Sequence, residues 1–285
     1  MKIGLLGLIV GDLTDVTYNT IRFASELGFH GVGAHLTVPA ETISSETAAR
    51  AKGVIADQGL DFLQLWGQSY PSLISPDAHV RAAGIAQVRE IVKLAAKLGV
   101  SAGVRPTSLS PSGDWSPHPD NFSDASEENF VTSLNEIVKT ARDEGVRIIL
   151  EFHLTTVLNT PQRIRRVIER TDPRCVRVNL DPCNLIGDLQ TAYHPAQIIH
   201  ALFDELRPYV DTVHVKDYYL EDRFVLHVAE TVIGTGLMDF ETVLKCAYQN
   251  APNGYVVIEH LPKNLIGLAK QNLTEKIRAM SIPLG

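Results

Sequence analysis

Short runs of apolar and β-branched residues alternate with longer stretches of helical period along this chain, and the alternation repeats about eight times. The apolar runs fall at residues 2–10, 31–36, 61–66, 100–105, 147–152, 176–180, 212–215 and 255–259. Their apolar positions are mostly consecutive, as expected of strands buried on both faces. Helical periodicity marks residues 17–27, 45–58, 77–98, 127–144, 161–170, 195–205 and 240–249. Gly28, Gly59, Gly99 and Gly145 each follow a helical stretch, where a left-handed residue ends the helix before the next strand. Repeated βα units of this number predict an α/β fold, a parallel eight-stranded (β/α)8 TIM barrel. An open doubly wound sheet would more often carry a glycine-rich phosphate turn after its first strand. Here that turn reads Leu8-Ile9-Val10-Gly11-Asp12. The connection at residues 108–127 is too long for a plain barrel loop and carries Trp115, His118 and Phe122, so it is read as a lid.

Composition narrows the function classes. The chain has 285 residues, 45% hydrophobic and 21% charged, and no Gly/Ser/Pro linker divides it, so residues 1–285 are read as one domain. A formal net charge of -7 disfavours a nucleic-acid partner, whose phosphates call for a basic face. Cys175, Cys183 and Cys246 form an odd set without Cys-x-x-Cys spacing, which fits reduced thiols and a cytoplasmic protein. Residues 3–10 are read as a first buried strand and not as a signal-peptide core, and no apolar run is long enough to imply a membrane partner.

Candidate chemistry lies where the later strands end, the edge that builds the active site of this fold. The runs Ile149-Leu150-Glu151, Asn179-Leu180-Asp181, Val213-His214-Val215 and Val257-Ile258-Glu259 each deliver an acid or imidazole out of an apolar strand. Any one of these acids alone is as readily a solvated loop residue. Four at successive strand ends aim at one point, and carboxylates converging in a low-dielectric mouth persist only when paired or metal-bound. Oxygen ligands with a single imidazole suit one divalent ion, Mn2+ first, with Mg2+, Co2+ or Zn2+ as alternatives. Other mouth residues have two readings each. Trp66 is a sugar-stacking wall or a packed core aromatic. Arg105 neutralises an acidic substrate or pairs with a neighbouring carboxylate. His35 is a substrate contact or a structural residue. Lys216 and Asp217 form a local ion pair, or Asp217 orients Lys216 or a metal-bound water. Residues 234–236 are read as a turn permitting positive φ, with a phosphate cradle as the alternative, and Asp239 as the cap of the next helix. Cys183 is read as a packing residue.

Taken in order, Glu151 followed by His153, Asp181-Pro-Cys-Asn184, His214-Val-Lys216-Asp217, Ile233-Gly-Thr-Gly236 and Glu259 resemble the xylose-isomerase-like TIM-barrel superfamily of sugar isomerases, epimerases and related inositol-pathway enzymes. The resemblance implies that Glu151, Asp181, His214 and Glu259 ligate the metal and that Glu151 and Glu259 are the catalytic acid/base pair. Proton transfer beside a carbonyl, through an enediolate whose charge a metal stabilises, would then isomerise or epimerise a ketose, aldose or inosose. The better-known epimerases carry a His where this chain has Asn184, an amide that binds a hydroxyl without shuttling a proton. His153 or Lys216 would supply the missing imidazole or cation, or Lys216 would polarise a carbonyl or bind a carboxylate or phosphate. The resemblance also implies a small sugar or inositol-type substrate and a homo-oligomer. A lyase or dehydratase acting on a 3-keto sugar or keto-inositol fits the same residues. A DNA-repair endonuclease, which shares the barrel, needs further histidines and a basic groove, and a barrel that only binds sugar completes the alternatives.

Overall fold

The computed structural model describes all 285 residues. Eight parallel strands close in the order β1 (Lys2–Gly11), β10 (Tyr255–Ile258), β7 (Val210–Val215), β6 (Val176–Leu180), β5 (Ile148–Leu150), β4 (Ser101–Val104), β3 (Asp61–Trp66) and β2 (Gly31–Leu36). The predicted barrel is therefore present, and each predicted strand coincides with one of these. Around it run α1 (Tyr18–Glu26), α2 (Ser45–Asp57), α3 (Ala78–Leu98), α4 (Asp124–Asp143), α5 (Pro161–Glu169), α7 (Ala196–Leu206) and α8 (Phe240–Asn250). Gly28, Gly59, Gly99 and Gly145 take φ of 73°, 72°, 76° and 67°, the left-handed stops that their positions predict. At the other ends, the side chains of Thr17, Ser44, Asp77, Ser123, Thr160 and Asp239 accept a backbone N–H of the first turn.

Three elements go beyond the sequence reading. A 17-residue helix, α9 (Lys263–Ala279), closes the last βα unit and buries Ile266, Ala269, Leu273 and Ile277 against the barrel. A short helix, α6 (Leu189–Tyr193), follows β6. The long connection after β7 folds as an antiparallel hairpin of β8 (Asp217–Leu220) and β9 (Val228–Thr231). Helix α4 starts three residues earlier than its periodicity suggests, because Ser123 caps it. The connection before α4 is anchored: buried Asn121 donates to Ser108 Oγ and to the Thr155 carbonyl, both at 2.9 Å, and accepts from the Leu109 N–H. No helix is long and apolar enough to cross a membrane.

The layer between helices and sheet is apolar: α4 alone contributes Phe130, Val131, Leu134, Ile137 and Val138, each side chain worth roughly 1.5–3 kcal/mol when fully buried. Helices α4 and α5 are also tied by charge. Glu127, itself buried, accepts from Arg163 Nε and Arg166 Nε at 2.7 Å each. Inside the barrel, where branched apolar side chains usually fill the layers, this chain buries Gln64, Asn179, Thr212 and His214 instead.

Candidate active site

Parallel pairing levels the strand ends. Val257 pairs with His214 and Ile258 with Val215, while Leu180 pairs with Val213 and Leu150 with Val178. Glu151, Asp181 and Glu259 each follow directly on a strand, and His214 projects from within β7. One ligand-type atom from each of these four buried residues lies within 4.8 Å of all the others. His214 Nδ1 is 3.0 Å from Glu259 Oε1. Lys216 Nζ reaches into the same cluster, 2.6 Å from Glu259 Oε1 and 2.9 Å from Asp181 Oδ2.

Second partners hold these groups in place. Asn184 donates to Glu151 Oε1 at 3.3 Å and to the Phe152 carbonyl at 3.1 Å, and accepts from Lys216 Nζ at 3.2 Å. The Asp181 carboxylate turns its other oxygen to the Cys183 N–H. Three buried atoms nevertheless have no aligned hydrogen bond: Asp181 Oδ2, His214 Nδ1 and Glu259 Oε1. Buried polar atoms are ordinarily satisfied, and these three face one another. Such a set, with Glu151 beside it, fits one divalent ion of the borderline-hard kind.

The two glutamates are driven apart electrostatically. Burial, reinforced by the charge of Glu259, raises the Glu151 carboxyl above the usual range. Burial pushes Glu259 upward too, but His214 and Lys216 outweigh it and hold this carboxyl well below the usual range. Lys216 loses by burial and gains more from Asp181, Glu259 and Glu151, which hold it well above the ordinary lysine value.

Above the cluster lies a cavity of about 180 Å³ lined by His35, Trp66, Arg105, Trp115, Glu151, His153, Asn184, Lys216, Glu230, Glu259 and His260. A larger hollow of about 550 Å³ opens among Phe62, Val100, Arg147, Asp211 and Tyr255 at the opposite end of the barrel. It holds the Arg147–Asp211 ion pair and none of the four clustered residues, so size does not locate the site here. Trp66 is at once wall and core: it lines the cavity, is 1% exposed, and packs so closely on β4 that a Cβ at Gly103 would lie 2.2 Å from its ring. Burial lowers His35 to about 4, so its imidazole is neutral near pH 7. Burial also lowers His153, whose Nδ1 lies 2.7 Å from Thr155 Oγ1.

Asp217 lies away from the place expected for it, and Arg105 takes the second of its two readings. Asp217 is absent from the cavity wall and does not pair with Lys216, because successive side chains of an extended segment point to opposite sides. Its carboxylate instead accepts the backbone N–H groups of Tyr218, Gly234, Gly236 and Met238, fixing the turn in which Gly234 takes φ +89°. Arg105 lines the cavity but is already engaged by Asp114 at 3.3 Å and by the carbonyls of Gly67 and Gln68. Conversely, Glu230 and His260 reach the cavity without having been singled out in sequence. Their side chains meet at 3.0 Å, and the Glu230 contact raises the His260 pKa. The long connection before α4 brings Trp115 to within 5.8 Å of the His153 ring, centroid to centroid.

Known proteins share this fold. The curated relatives include the inosose dehydratase of Geobacillus kaustophilus, 27% identical over 147 residues, or 48% of this chain and 46% of that protein. The chain thus spans about half the length of the curated relatives it matches. Among solved structures, the D-psicose 3-epimerase of Clostridium cellulolyticum, determined with D-tagatose, superposes with a TM-score of 0.71 at 17% identity, covering 99% of both chains. A xylose isomerase-like TIM barrel protein of Mycobacterium smegmatis, in complex with magnesium, gives 0.70 at 19% identity over 98% of this chain and 96% of that one. The family model described as xylose isomerase-like TIM barrel matches residues 21–280. Barrel, strand-end cluster and family match together lead to one assignment: this chain belongs to the xylose isomerase-like TIM barrel family.

Proposed function

We propose that the chain is a divalent-metal-dependent sugar isomerase or epimerase, acting on a small uncharged keto sugar or inosose with Glu151 and Glu259 as its acid/base pair. The observation that carries this reading is the convergence of four buried ligand-type side chains, Glu151, Asp181, His214 and Glu259, whose ligand atoms lie within 4.8 Å of one another, with Lys216 as the one cation among them. These four residues would hold the ion, manganese being our first choice. When bound, the ion would supply Lewis-acid stabilisation of negative charge on the substrate's carbonyl oxygen. Glu259, held ionised, is suited to take the proton from the carbon beside that carbonyl. Glu151, raised by burial, is suited to return one, with each such group worth roughly 10²- to 10⁴-fold in rate. Return on the opposite face inverts the centre; return on the neighbouring carbon isomerises.

The wall chemistry supports a neutral substrate. Arg105 is committed to Asp114, Lys216 to Glu259 and Asp181, and Glu151, Glu230 and Glu259 add negative charge. Apart from the ion itself, a phosphate or carboxylate would meet no unpaired side-chain cation in the metal-free cavity, whereas Asn184, His35 and His153 can bind hydroxyls and Trp66 can face a ring.

A second reading is dehydration of a 3-keto sugar or keto-inositol, favoured by the inosose dehydratase relatives and by His260, whose Nε2 lies 3.8 Å from Glu259 Oε2. A protonated imidazole there would give its proton to a departing hydroxyl. Incubating Mn2+-loaded protein with keto sugars and inososes in heavy water tests both readings. Deuterium uptake at one carbon, lost in Glu259→Gln, supports proton transfer, and growth of an ultraviolet-absorbing unsaturated product assigns dehydration. Neither signal across the neutral keto sugars and inososes would overturn the proposal.

A further inference from the structure

Five buried side chains form one hydrogen-bonded chain across the barrel, from the cavity wall to the proposed metal site. Trp66 Nε1 donates to Gln64 Oε1 at 3.1 Å, and Gln64 Nε2 donates to Thr212 Oγ1 at 2.7 Å. The Thr212 hydroxyl donates to Asn179 Oδ1, and Asn179 Nδ2 lies 2.6 Å from His214 Nε2. Gln64, Asn179 and His214 are at most 1% exposed and Thr212 is 5% exposed, so all four are withdrawn from bulk solvent.

The direction of this chain is fixed from its far end as far as Thr212 and biased beyond it. An indole N–H can only donate, so Gln64 must turn its carbonyl to Trp66 and its amide nitrogen to Thr212. The hydroxyl, having accepted that bond, still has one proton to give and gives it to Asn179 Oδ1, which leaves the amide nitrogen facing His214; accepting from both amides instead would leave that proton without a partner. Nε2 of His214 must then accept, which puts the ring proton on Nδ1. That is the atom facing Glu259 and Asp181, and it must be bare to bind a metal. Metal loading therefore requires the proton to sit on Nε2 and the Asn179 amide to turn over and accept it. Thr212 would then receive N–H groups from both Gln64 and Asn179.

We propose that Asn179 is a positioning residue that selects the His214 tautomer, and that the Trp66–Gln64–Thr212 chain biases it toward the metal-free form and so sets the metal affinity of the site. The proposal rests on the metal reading given above. It assigns a role to three buried polar residues that the acid/base chemistry leaves unused. Partners beyond the ligands themselves commonly change metal affinity by about 10- to 100-fold.

The test compares the wild type with Asn179→Asp, whose carboxylate at that position can only accept, well above the ordinary histidine pKa. Nitrogen-15 NMR of the metal-free wild type should show the His214 proton on Nδ1, and N179D should move it to Nε2. Titration calorimetry with Mn2+ should show N179D binding about 10-fold tighter or more. A metal-free wild type with its proton on Nε2 would overturn the proposal without any variant. So would a wild type that binds Mn2+ while N179D binds it no tighter, an outcome that leaves the metal reading standing. A wild type that binds no divalent ion would overturn both.

Discussion

The ammonium of Lys216 lies 2.6 Å from Glu259 Oε1, an oxygen that has no aligned hydrogen bond of its own. Lys216 is thus the internal counter-ion of a carboxylate cluster that would otherwise be left uncompensated in a dry environment. Replacing it with Met should destabilise the metal-free protein by about 3–5 kcal/mol, the usual penalty for leaving a buried charge unpaired. Added Mn2+ should restore most of that loss, because the ion supplies the missing positive charge. Urea unfolding with and without Mn2+ measures both. An equal loss in the two conditions would mean that Lys216 acts by packing alone.

Asp114 pairs with Arg105 at 3.3 Å beside the cavity. Asp114→Asn should therefore strengthen inhibition by a phosphorylated or carboxylated analogue by about 10-fold or more, as expected for a newly available charged hydrogen bond. Inhibition by the neutral analogue should change little. Equal effects on both analogues would contradict the neutral-substrate reading.

The contact between Gly103 and Trp66 leaves no room for a methyl group. Gly103→Ala should cost about 1–3 kcal/mol, typical of overpacking, and should shift tryptophan fluorescence as the Trp66 wall is displaced. Unchanged stability and emission would show that β3 and β4 can separate freely.

Glu127 is lowered from 4.5 to about 2, chiefly by its hydrogen bond to Arg166 and, after burial opposes this, by Arg163. A carboxyl depressed in the folded state contributes stability that is complete above its unfolded pKa and lost as pH falls through the folded one. The α4–α5 connection should therefore hold above about pH 4.5 and weaken progressively toward pH 2. Glu127→Gln should lower stability near neutral pH and flatten the dependence across that window, as read by circular dichroism. A wild type and variant with parallel pH profiles would refute the assignment.

Sequence made the barrel legible because buried parallel strands leave continuous apolar runs, and because glycines marked four helix ends by their φ requirement. It made the cluster of Glu151, Asp181, His214 and Glu259 legible because residues at strand ends are aligned by the sheet itself. His260 escaped notice for a physical reason. A residue following Glu259 in an extended chain should point away from the site, but φ of +61° at His260 breaks that alternation and turns its ring back to the cavity. Glu230 reaches the site only because residues 217–231 form a hairpin, and that segment carries no decisive periodicity. The spacing of Ile266, Ala269, Leu273 and Ile277 does carry the α9 signal, beyond the last strand at which the periodic reading ended. Gln64, Thr212 and Asn179 lie within apolar strand runs, and nothing in the linear order tells that they touch. Asp217 follows Lys216 in sequence, which suggests a pair, while extended backbone geometry sends the two side chains apart.

Whether the four strand ends build a metal site is decided by the stoichiometry of bound metal. The protein would be stripped with chelator, reconstituted with Mn2+, and analysed for bound metal alongside His214→Ala and Glu259→Gln. The wild type should hold a single ion per chain, weakened or lost in both variants. A wild type without metal, or binding indifferent to both substitutions, would contradict such a site.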